Sequence, residues 1–147
     1  MNPIDISLRI ATTAHAGQTD RDGYPVILHP LAVGLMGHTD EEKIAGFLHD
    51  VVEDTSYTFN DLLEEGIPIG IVNALRLLTH DHSTDYFEYV QRIIDSGNPS
   101  ALQVKYNDLQ HNFARGKAHP DLQAKHGRAL EMVKACLLYT SPSPRDS

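Results

Sequence analysis

The spacing of apolar residues along this chain is helical almost throughout, and this feature constrains the fold most strongly. Near the start, Ile4, Leu8 and Ala11 recur at intervals of four and three residues, as they would on one face of an α-helix. The sequence contains no pair of β-strand patterns joined by a hairpin turn signal. We therefore expect an all-α fold, a compact bundle of about seven or eight helices.

Proline, glycine and capping residues divide this pattern into segments. Pro30 suits the first turn of a second helix, because its missing N–H group costs little there. Asp40 is the expected N-cap of a third helix, whose apolar face continues to Val52. The strongly apolar segment 67–78 is compatible with a strand, but its length favours a buried helix. Further helices are predicted over 58–66, 85–94, 100–113 and 122–135.

The composition excludes several classes of function. The 147 residues include 12 Lys and Arg against 20 Asp and Glu, which gives a net charge of −8. This acidic balance argues against a broad surface for nucleic acid or anionic membranes, so we expect no DNA, RNA or membrane partner. The sequence contains no apolar run of about 18 residues, so we predict no membrane span. A single cysteine and an N-terminus without a signal-peptide pattern favour the cytoplasm.

The last segment of the sequence, residues 136–147, has the sequence that a transposase-end adapter of sequencing libraries would encode. We therefore expect one domain over residues 1–135 and a non-native tail over residues 136–147. A short native tail that is disordered, as many termini are, is the alternative. Under the first interpretation, the natural sequence departs from this one near Ala135, and Cys136 is not native.

The sharpest local feature is a group of ionisable residues within Leu48–Thr55, namely His49, Asp50, Glu53 and Asp54. On a continuous helix these side chains would gather within about one turn of one another. Carboxylates that lie so close repel one another unless a proton or a cation lies between them. A divalent metal ion bound by histidine and aspartate is one interpretation, and a solvated acidic helix end is the other.

Other polar motifs follow a recognisable order around this segment. They are Ala14–Gln18, Arg21–Gly23, His29–Leu31, His49–Thr55, Leu78–Thr79 and Val104–Asn112. The series resembles the signature of the HD-domain phosphohydrolases. Within them it looks most like the hydrolase domain of Rel/SpoT-like alarmone enzymes and their small stand-alone relatives. The resemblance spans about residues 7–115 and depends on six ordered motifs rather than on one dipeptide.

This resemblance implies a site for one divalent metal ion, usually manganese. The residues that match the ligands of the family are His29, His49, Asp50 and Asp108. A bound divalent cation lowers the pKa of its water and polarises a phosphoryl oxygen. Glu53 and Asp54 match the catalytic acidic pair of the family, although either carboxylate could instead cap a neighbouring helix.

The resemblance also implies a partner, a phosphorylated guanosine nucleotide. Arg21 matches a residue that meets the substrate phosphate, and Asn112 matches one near the nucleotide sugar. Lys105, one turn before Asp108, could face either phosphate or solvent. His15 is as consistent with a supporting role as with direct contact.

The remaining histidines and tyrosines have simpler interpretations. His111 is expected to orient the Asp108 region, and Tyr86 and Tyr89 are expected to pack in the core. Five histidines outside the motifs are expected in loops or on helix surfaces: His38, His80, His82, His119 and His126.

The predicted reaction is removal of the 3′ pyrophosphate from guanosine tetra- or pentaphosphate, which gives GDP or GTP. The chain departs from the family pattern at Val26 and at Leu109–Gln110, and both departures are expected at the nucleotide-facing rim. Hydrolysis of another phosphorylated nucleotide is therefore a second hypothesis, and an inactive HD module that senses nucleotide is a third. The length leaves no room for a synthetase domain, so synthetase activity is not expected. A homo-oligomer is left open.

Overall fold

The computed structural model describes the backbone of residues 1–140 and the side chains of residues 1–138, and this part of the chain contains no β-strand. Its helices are α1 (Pro3–Ala14), α2 (Leu28–Leu35), α3 (Asp40–Leu48), α4 (Val51–Asp54), α5 (Phe59–Glu64), α6 (Ile69–Leu78), α7 (Tyr86–Asp95), α8 (Pro99–Ala114) and α9 (Pro120–Thr140). An isolated antiparallel bridge joins Thr19 and Pro25 in the loop after α1. The predicted all-α fold is confirmed.

Capping side chains explain where two of these helices begin. Thr58 and Asp61 exchange side-chain and backbone hydrogen bonds in a capping box at the start of α5, where a helix was predicted. The predicted cap at Asp40 was wrong by one residue. Thr39 is the N-cap of α3, and its hydroxyl oxygen accepts the amide of Glu42 at 3.1 Å.

The helix that we predicted to continue through Val52 is interrupted at His49 and Asp50, which lie between α3 and α4. The ring of His49 binds the carbonyl oxygen of Gly46 at 2.6 Å. A continuous helix would pair that oxygen with the amide of Asp50 instead. The prediction of one helix was therefore wrong, and Val52 is only half-buried.

The core lies around α3, which packs against α1, α2, α6 and α8. Six of its fully buried side chains come from six different helices, namely Ile10, Leu48, Leu62, Leu75, Ile93 and Leu109. Burial of each such side chain contributes about 1.5–3 kcal/mol to folding. This packing fixes α3 and α8 relative to each other, and the polar residues described below lie directly after α3, on α8 and on α2.

Two glycines allow α2 and α3 to cross closely. A Cβ atom on Gly46 would lie 2.6 Å from the Cα atom of Gly34, which is closer than real Cβ atoms approach. A Cβ atom on Gly34 would in turn overlap the ring of Phe47. This crossing brings the first turn of α2 beside the end of α3, so that the rings of His29 and His49 meet edge-on with centroids 5.1 Å apart.

Helix α9 continues past Ala135, and Cys136 and Leu137 pack against the core. Residues 141–147 of the predicted non-native tail lie outside the described residues, so the origin of that tail stays a prediction. Within residues 1–140, no helix combines the length and the hydropathy needed to cross a membrane.

Candidate active site

Two histidines and two aspartates come together where the start of α2, the junction of α3 and α4, and α8 converge. Nε2 of His29 lies 2.7 Å from Oδ1 of Asp108. Nε2 of His49 lies 3.2 Å from the same oxygen of Asp108 and 3.2 Å from Oδ2 of Asp50. Ligand atoms of His29, His49 and Asp50 all lie within 4.8 Å of one another. The structure thus brings together the four residues that match the ligand set, called the His–Asp cluster below.

His49 gives the clearest indication that a cation fits this cluster. Its Nδ1 atom lies 2.6 Å from the carbonyl oxygen of Gly46, which can only accept, so Nδ1 carries a proton. Its Nε2 atom is buried and makes no hydrogen bond, although two carboxylate oxygens are 3.2 Å away. A lone pair that faces negative oxygens is unfavourable unless a proton or cation lies between them. Two imidazole nitrogens and two carboxylates are a donor set that suits a divalent transition-metal ion.

His111 holds the ring of His29. Their Nδ1 atoms lie 2.7 Å apart, and the two rings stack with centroids 4.9 Å apart. Burial and the neighbouring His29 lower the pKa of His111, so its neutral ring can accept a hydrogen bond. This contact holds the His29 ring so that its Nε2 atom faces Asp108 in the cluster. We expected His111 to orient the Asp108 region, whereas its ring contacts His29.

Lys105 and Asn112 hold the carboxylate of Asp108 from both sides. Nζ of Lys105 donates to Oδ2 at 2.9 Å, and Nδ2 of Asn112 donates to Oδ1 at 3.1 Å. Burial alone would raise the pKa of Asp108, but Lys105 and the two histidines hold it well below its usual value. Burial alone would lower the pKa of Lys105, but Asp108 raises it well above its usual value. Lys105 is buried and does not face solvent, so the solvent alternative for this residue was wrong.

The carboxylates of the cluster also determine the charge of His49. Burial by itself lowers the pKa of this ring, but Asp50 and Asp108 outweigh burial and hold the pKa well above its usual value. Burial raises the pKa of Asp50, and His49 more than offsets that effect, so the pKa of Asp50 is lowered. The two carboxylates therefore favour a second proton on His49, at Nε2. A divalent cation can replace that proton.

A cavity of about 70 Å³ opens beside the cluster, between α4 and α7. Glu53 lines this cavity, and its Oε1 atom accepts the backbone N–H of His80 at 2.7 Å. The ring of His80 stacks on Tyr89 with centroids 4.7 Å apart, and the hydroxyl of Tyr89 donates to the carbonyl oxygen of Leu78 at 2.6 Å. Nζ of Lys105 lies 5.0 Å from the centroid of the Tyr89 ring. The volume suits about two water molecules.

Asp54 follows Glu53 but has a different environment. Its side chain lies at the surface, where neighbouring atoms shield it only partly from solvent, and it does not line the small cavity. Partial burial and the carboxylates of Asp50 and Glu53 raise the pKa of Asp54 to about 6. His15 and His49 act in the opposite direction. A carboxyl group with this pKa can accept and release a proton near neutral pH.

A larger pocket, of about 310 Å³, adjoins Asn112. It is lined by Thr19, Asp20, Arg21, Asp22, Asn112, Arg115, Gly116, His119, Leu122 and His126. Nη2 of Arg115 donates to Oδ1 of Asn112 at 2.8 Å, and Asn112 donates to Asp108, so these bonds join the pocket to the His–Asp cluster. The volume is within the range of small-ligand sites. Two of the three predicted substrate-binding residues, Arg21 and Asn112, line this pocket, whereas Lys105 does not.

The two departures from the family pattern do not lie on this pocket. Leu109 is fully buried in the core, and Gln110 donates from its side-chain amide to the hydroxyl of Tyr106 at 3.1 Å. Val26 is half-buried and does not line the pocket. Adjacent residues of a helix point in different directions, and Leu109 faces away from the side of α8 that carries Asp108. That these positions touch the nucleotide-facing rim stays a prediction.

Sequence reasoning missed three residues of this region. His80 lies in the loop after α6 and His126 lies on α9, as expected, but His80 also lines the small cavity and His126 the larger pocket. Partial burial lowers the pKa of His126 to about 4. Tyr89 is buried, as expected, but it also lines the small cavity. The available signal was the concentration of histidine and tyrosine over residues 80–89.

Two known proteins that are similar in sequence are much longer than this chain. The chain is 33% identical over 139 residues to a protein of Mycobacterium leprae named "Probable GTP pyrophosphokinase", covering 86% of this chain and 18% of that protein. It is 44% identical over 132 residues to the "Bifunctional (p)ppGpp synthase/hydrolase SpoT" of Escherichia coli, covering 81% of this chain and 19% of that protein. The chain therefore spans less than a fifth of the length of these relatives. No protein-family model matches it.

A solved structure shares the fold. It belongs to a metazoan orthologue of SpoT described as hydrolysing ppGpp, and it superimposes with a TM-score of 0.75 at 21% sequence identity. The superposition covers 93% of this chain and 86% of that one. The helical bundle described above is thus a known arrangement, and α1 to α9 form most of it.

Proposed function

Because this chain is homologous to one segment of the Rel/SpoT proteins and has the fold of an HD-domain bundle, we propose that it is a metal-dependent phosphohydrolase. Its proposed substrate is guanosine tetra- or pentaphosphate, from which it removes the 3′ pyrophosphate. The names of the similar proteins include a 3′-pyrophosphohydrolase of Haemophilus influenzae, 48% identical over 60 residues. The relatives also include proteins named as pyrophosphokinases, so the local site must decide between the two activities.

The observation that carries the proposal is the buried Nε2 atom of His49, which faces the carboxylates of Asp50 and Asp108 without a hydrogen bond. Such an atom among carboxylates supports a cation site, and His29 and Asp108 complete the ligand set. Imidazole and carboxylate donors together suit a divalent transition-metal ion, and the proposed ion is manganese, as the family resemblance implies. When bound, it would supply a nucleophilic water near neutral pH and polarise a phosphoryl oxygen.

The residues around the cluster have distinct roles in this proposal. Glu53 is held by the amide of His80, and its carboxylate orients the attacking water in the small cavity. Asp54 lies outside this cavity, and its pKa of about 6 suits it to receive the released proton through an intervening water molecule. The water oxygen bonds to the phosphorus next to the ribose, and the bond from that phosphorus to the 3′ oxygen breaks. A proton returns to the 3′ oxygen, and the products are pyrophosphate and GDP or GTP.

The larger pocket is the proposed site of the nucleotide. Arg21 lies on this pocket, where a guanidinium group can pair with a phosphate of the substrate. Asn112 lies between the pocket and Asp108, which supports its proposed place beside the sugar. We propose that Lys105 acts on the site through Asp108 and not through the pocket, because its ammonium group is buried against that carboxylate.

The experiment is an assay of pyrophosphate release from guanosine tetraphosphate by the purified protein with Mn²⁺. Asp50→Asn should abolish release, whereas Asp121→Asn, at an exposed position on α9, should leave it unchanged. Wild-type protein that is folded and binds Mn²⁺ but releases no pyrophosphate would contradict the proposal. Faster turnover of an unrelated phosphorylated nucleotide would keep the metal site and replace the substrate.

A further inference from the structure

His15 and Gln18, in the loop that follows α1, connect this loop to the acidic pair. Nδ1 of His15 lies 2.9 Å from Oε1 of Gln18, and Nε2 of Gln18 donates to the backbone carbonyl oxygen of Asp54 at 3.2 Å. The amide group therefore has one partner at each end, which fixes its orientation. Because Oε1 can only accept, the proton of the His15 ring is on Nδ1.

The ring of His15 is buried, with 1% of its surface exposed, and its Nε2 atom has no hydrogen-bond partner. An unpaired acceptor in the interior is unfavourable for folding. An apolar residue of similar size would avoid this cost, so stability alone does not explain a histidine here. The hydrogen bond that an apolar residue could not make is the one to Gln18.

The backbone around Gln18 is fixed on both sides. Gly17 has a φ of +80°, a conformation that glycine adopts without strain and that reverses the chain after His15. The amide of Gln18 then donates to the carbonyl oxygen of His15 at 3.0 Å, and the amide of Val26 donates to the carbonyl oxygen of Gln18 at 2.9 Å. The side chain of Gln18 is thus presented from a rigid turn.

The other end of the connection is α4, which has only four residues. Its end is held locally by Thr55, whose amide and hydroxyl both donate to the carbonyl oxygen of Val51. A helix of one turn has little stability of its own. The bond from Gln18 to the carbonyl oxygen of Asp54 ties this turn to a residue 36 positions away in sequence, directly at the proposed catalytic pair.

We propose that Gln18 is a positioning residue for Glu53 and Asp54, and that His15 serves this purpose by holding the amide of Gln18. The inference rests on the proposed hydrolase function and adds residues that act on the reaction without touching the substrate. A displacement of α4 would move both carboxylates relative to the His–Asp cluster, and small displacements of reacting groups are costly for catalysis.

The test uses three variants that separate the two contacts. Gln18→Met removes both, and Gln18→Glu keeps an acceptor for His15 but removes the donor to Asp54. His15→Phe fills the buried space without holding the amide. Gln91→Met is the matched control, because Gln91 is an exposed glutamine on α7 whose amide bonds only to its own helix.

We expect kcat for pyrophosphate release to fall about tenfold in all three variants, with KM and the Kd for Mn²⁺ unchanged within about twofold. The double variant His15→Phe with Gln18→Met should lose no more than Gln18→Met alone, because both residues act through the same bond. A wild-type kcat in Gln18→Glu would overturn the inference. It would mean that the bond from Gln18 to Asp54 does not affect the reaction and that Gln18 only supports His15. Equal losses in kcat and in the affinity for Mn²⁺ would also overturn it.

A second measurement does not depend on activity. Hydrogen exchange of the amides of Asp54 and Thr55 should be at least about fivefold faster in Gln18→Met than in the wild type, because α4 loses its link to the turn. Unchanged exchange there would overturn the inference. If wild-type protein binds Mn²⁺ but hydrolyses no alarmone, the proposed function fails, and the exchange data still decide whether Gln18 positions α4.

Discussion

Replacement of Lys105 by methionine tests whether Asp108 depends on a buried ion pair. Their side chains are 8% and 7% exposed, and Nζ lies 2.9 Å from Oδ2. Removal of one partner from a buried ion pair usually costs about 3–5 kcal/mol. Here Asp108 keeps its bonds to His29 at 2.7 Å and Asn112 at 3.1 Å, so we expect the lower end, about 3 kcal/mol.

The assay is urea unfolding of Lys105→Met at pH 7 in the presence of a chelator, followed by circular dichroism. Lys134→Met, at an exposed position of α9, is the control and should change the free energy of unfolding by less than about 0.5 kcal/mol. The double variant Lys105→Met with Asp108→Asn should be more stable than the sum of the single effects predicts, because the unpaired charge is removed with its partner. A loss below about 1 kcal/mol in Lys105→Met, or strict additivity in the double variant, would refute the buried ion pair.

Three further predictions concern the helix crossing, the larger pocket and the small cavity. Gly46→Ala should lower the free energy of unfolding by about 1–3 kcal/mol and weaken Mn²⁺ binding, because its new methyl group would push α2 away from α3. Urea unfolding measures the first effect and calorimetry the second. Unchanged values in both would contradict the close crossing. The pKa of His126 is lowered from 6.5 to about 4, so the unfolded chain binds more protons between these pH values and stability should fall as the pH drops through them. The full shift corresponds to about 3 kcal/mol of folding stability, and solvent screening reduces our expectation to about 1–2 kcal/mol. In unfolding curves measured over a pH series, His126→Gln should show a smaller loss of stability in this pH range than the wild type. The same pH dependence in the variant and the wild type would contradict the assigned burial. Glu53→Gln should reduce kcat about 100-fold or more while KM stays within about twofold in the pyrophosphate assay, and wild-type kcat would exclude Glu53 from the reaction.

The sequence predicted the helical class because apolar spacing is a local pattern, and it predicted the residues of the His–Asp cluster because its ordered motifs resemble those of a known family. Apolar spacing defines each helix, and His49 and Asp50 are adjacent in the chain. Their conformation could not be predicted in the same way. The break between α3 and α4 depends on a hydrogen bond from the His49 ring to Gly46, and periodicity carries no information about such a bond.

Contacts between distant segments account for the other differences. Lys105 was left between phosphate and solvent, because one turn of spacing from Asp108 does not tell whether a lysine is enclosed by Tyr86 and Tyr89 from another helix. His80 follows α6 and lines the cavity, where its amide donates to Glu53, 27 residues earlier. Such positions follow from the tertiary arrangement and not from any local pattern.

The most direct test of the account is a calorimetric titration of the chelator-treated protein with Mn²⁺, performed on the wild type and on His49→Leu. The account predicts one ion bound per chain in the wild type. It also predicts an affinity at least about 100-fold lower in His49→Leu, because a ligand with a buried, unpaired nitrogen has been removed. Wild-type protein that binds no divalent cation, or His49→Leu protein that binds one as tightly as the wild type, would contradict it.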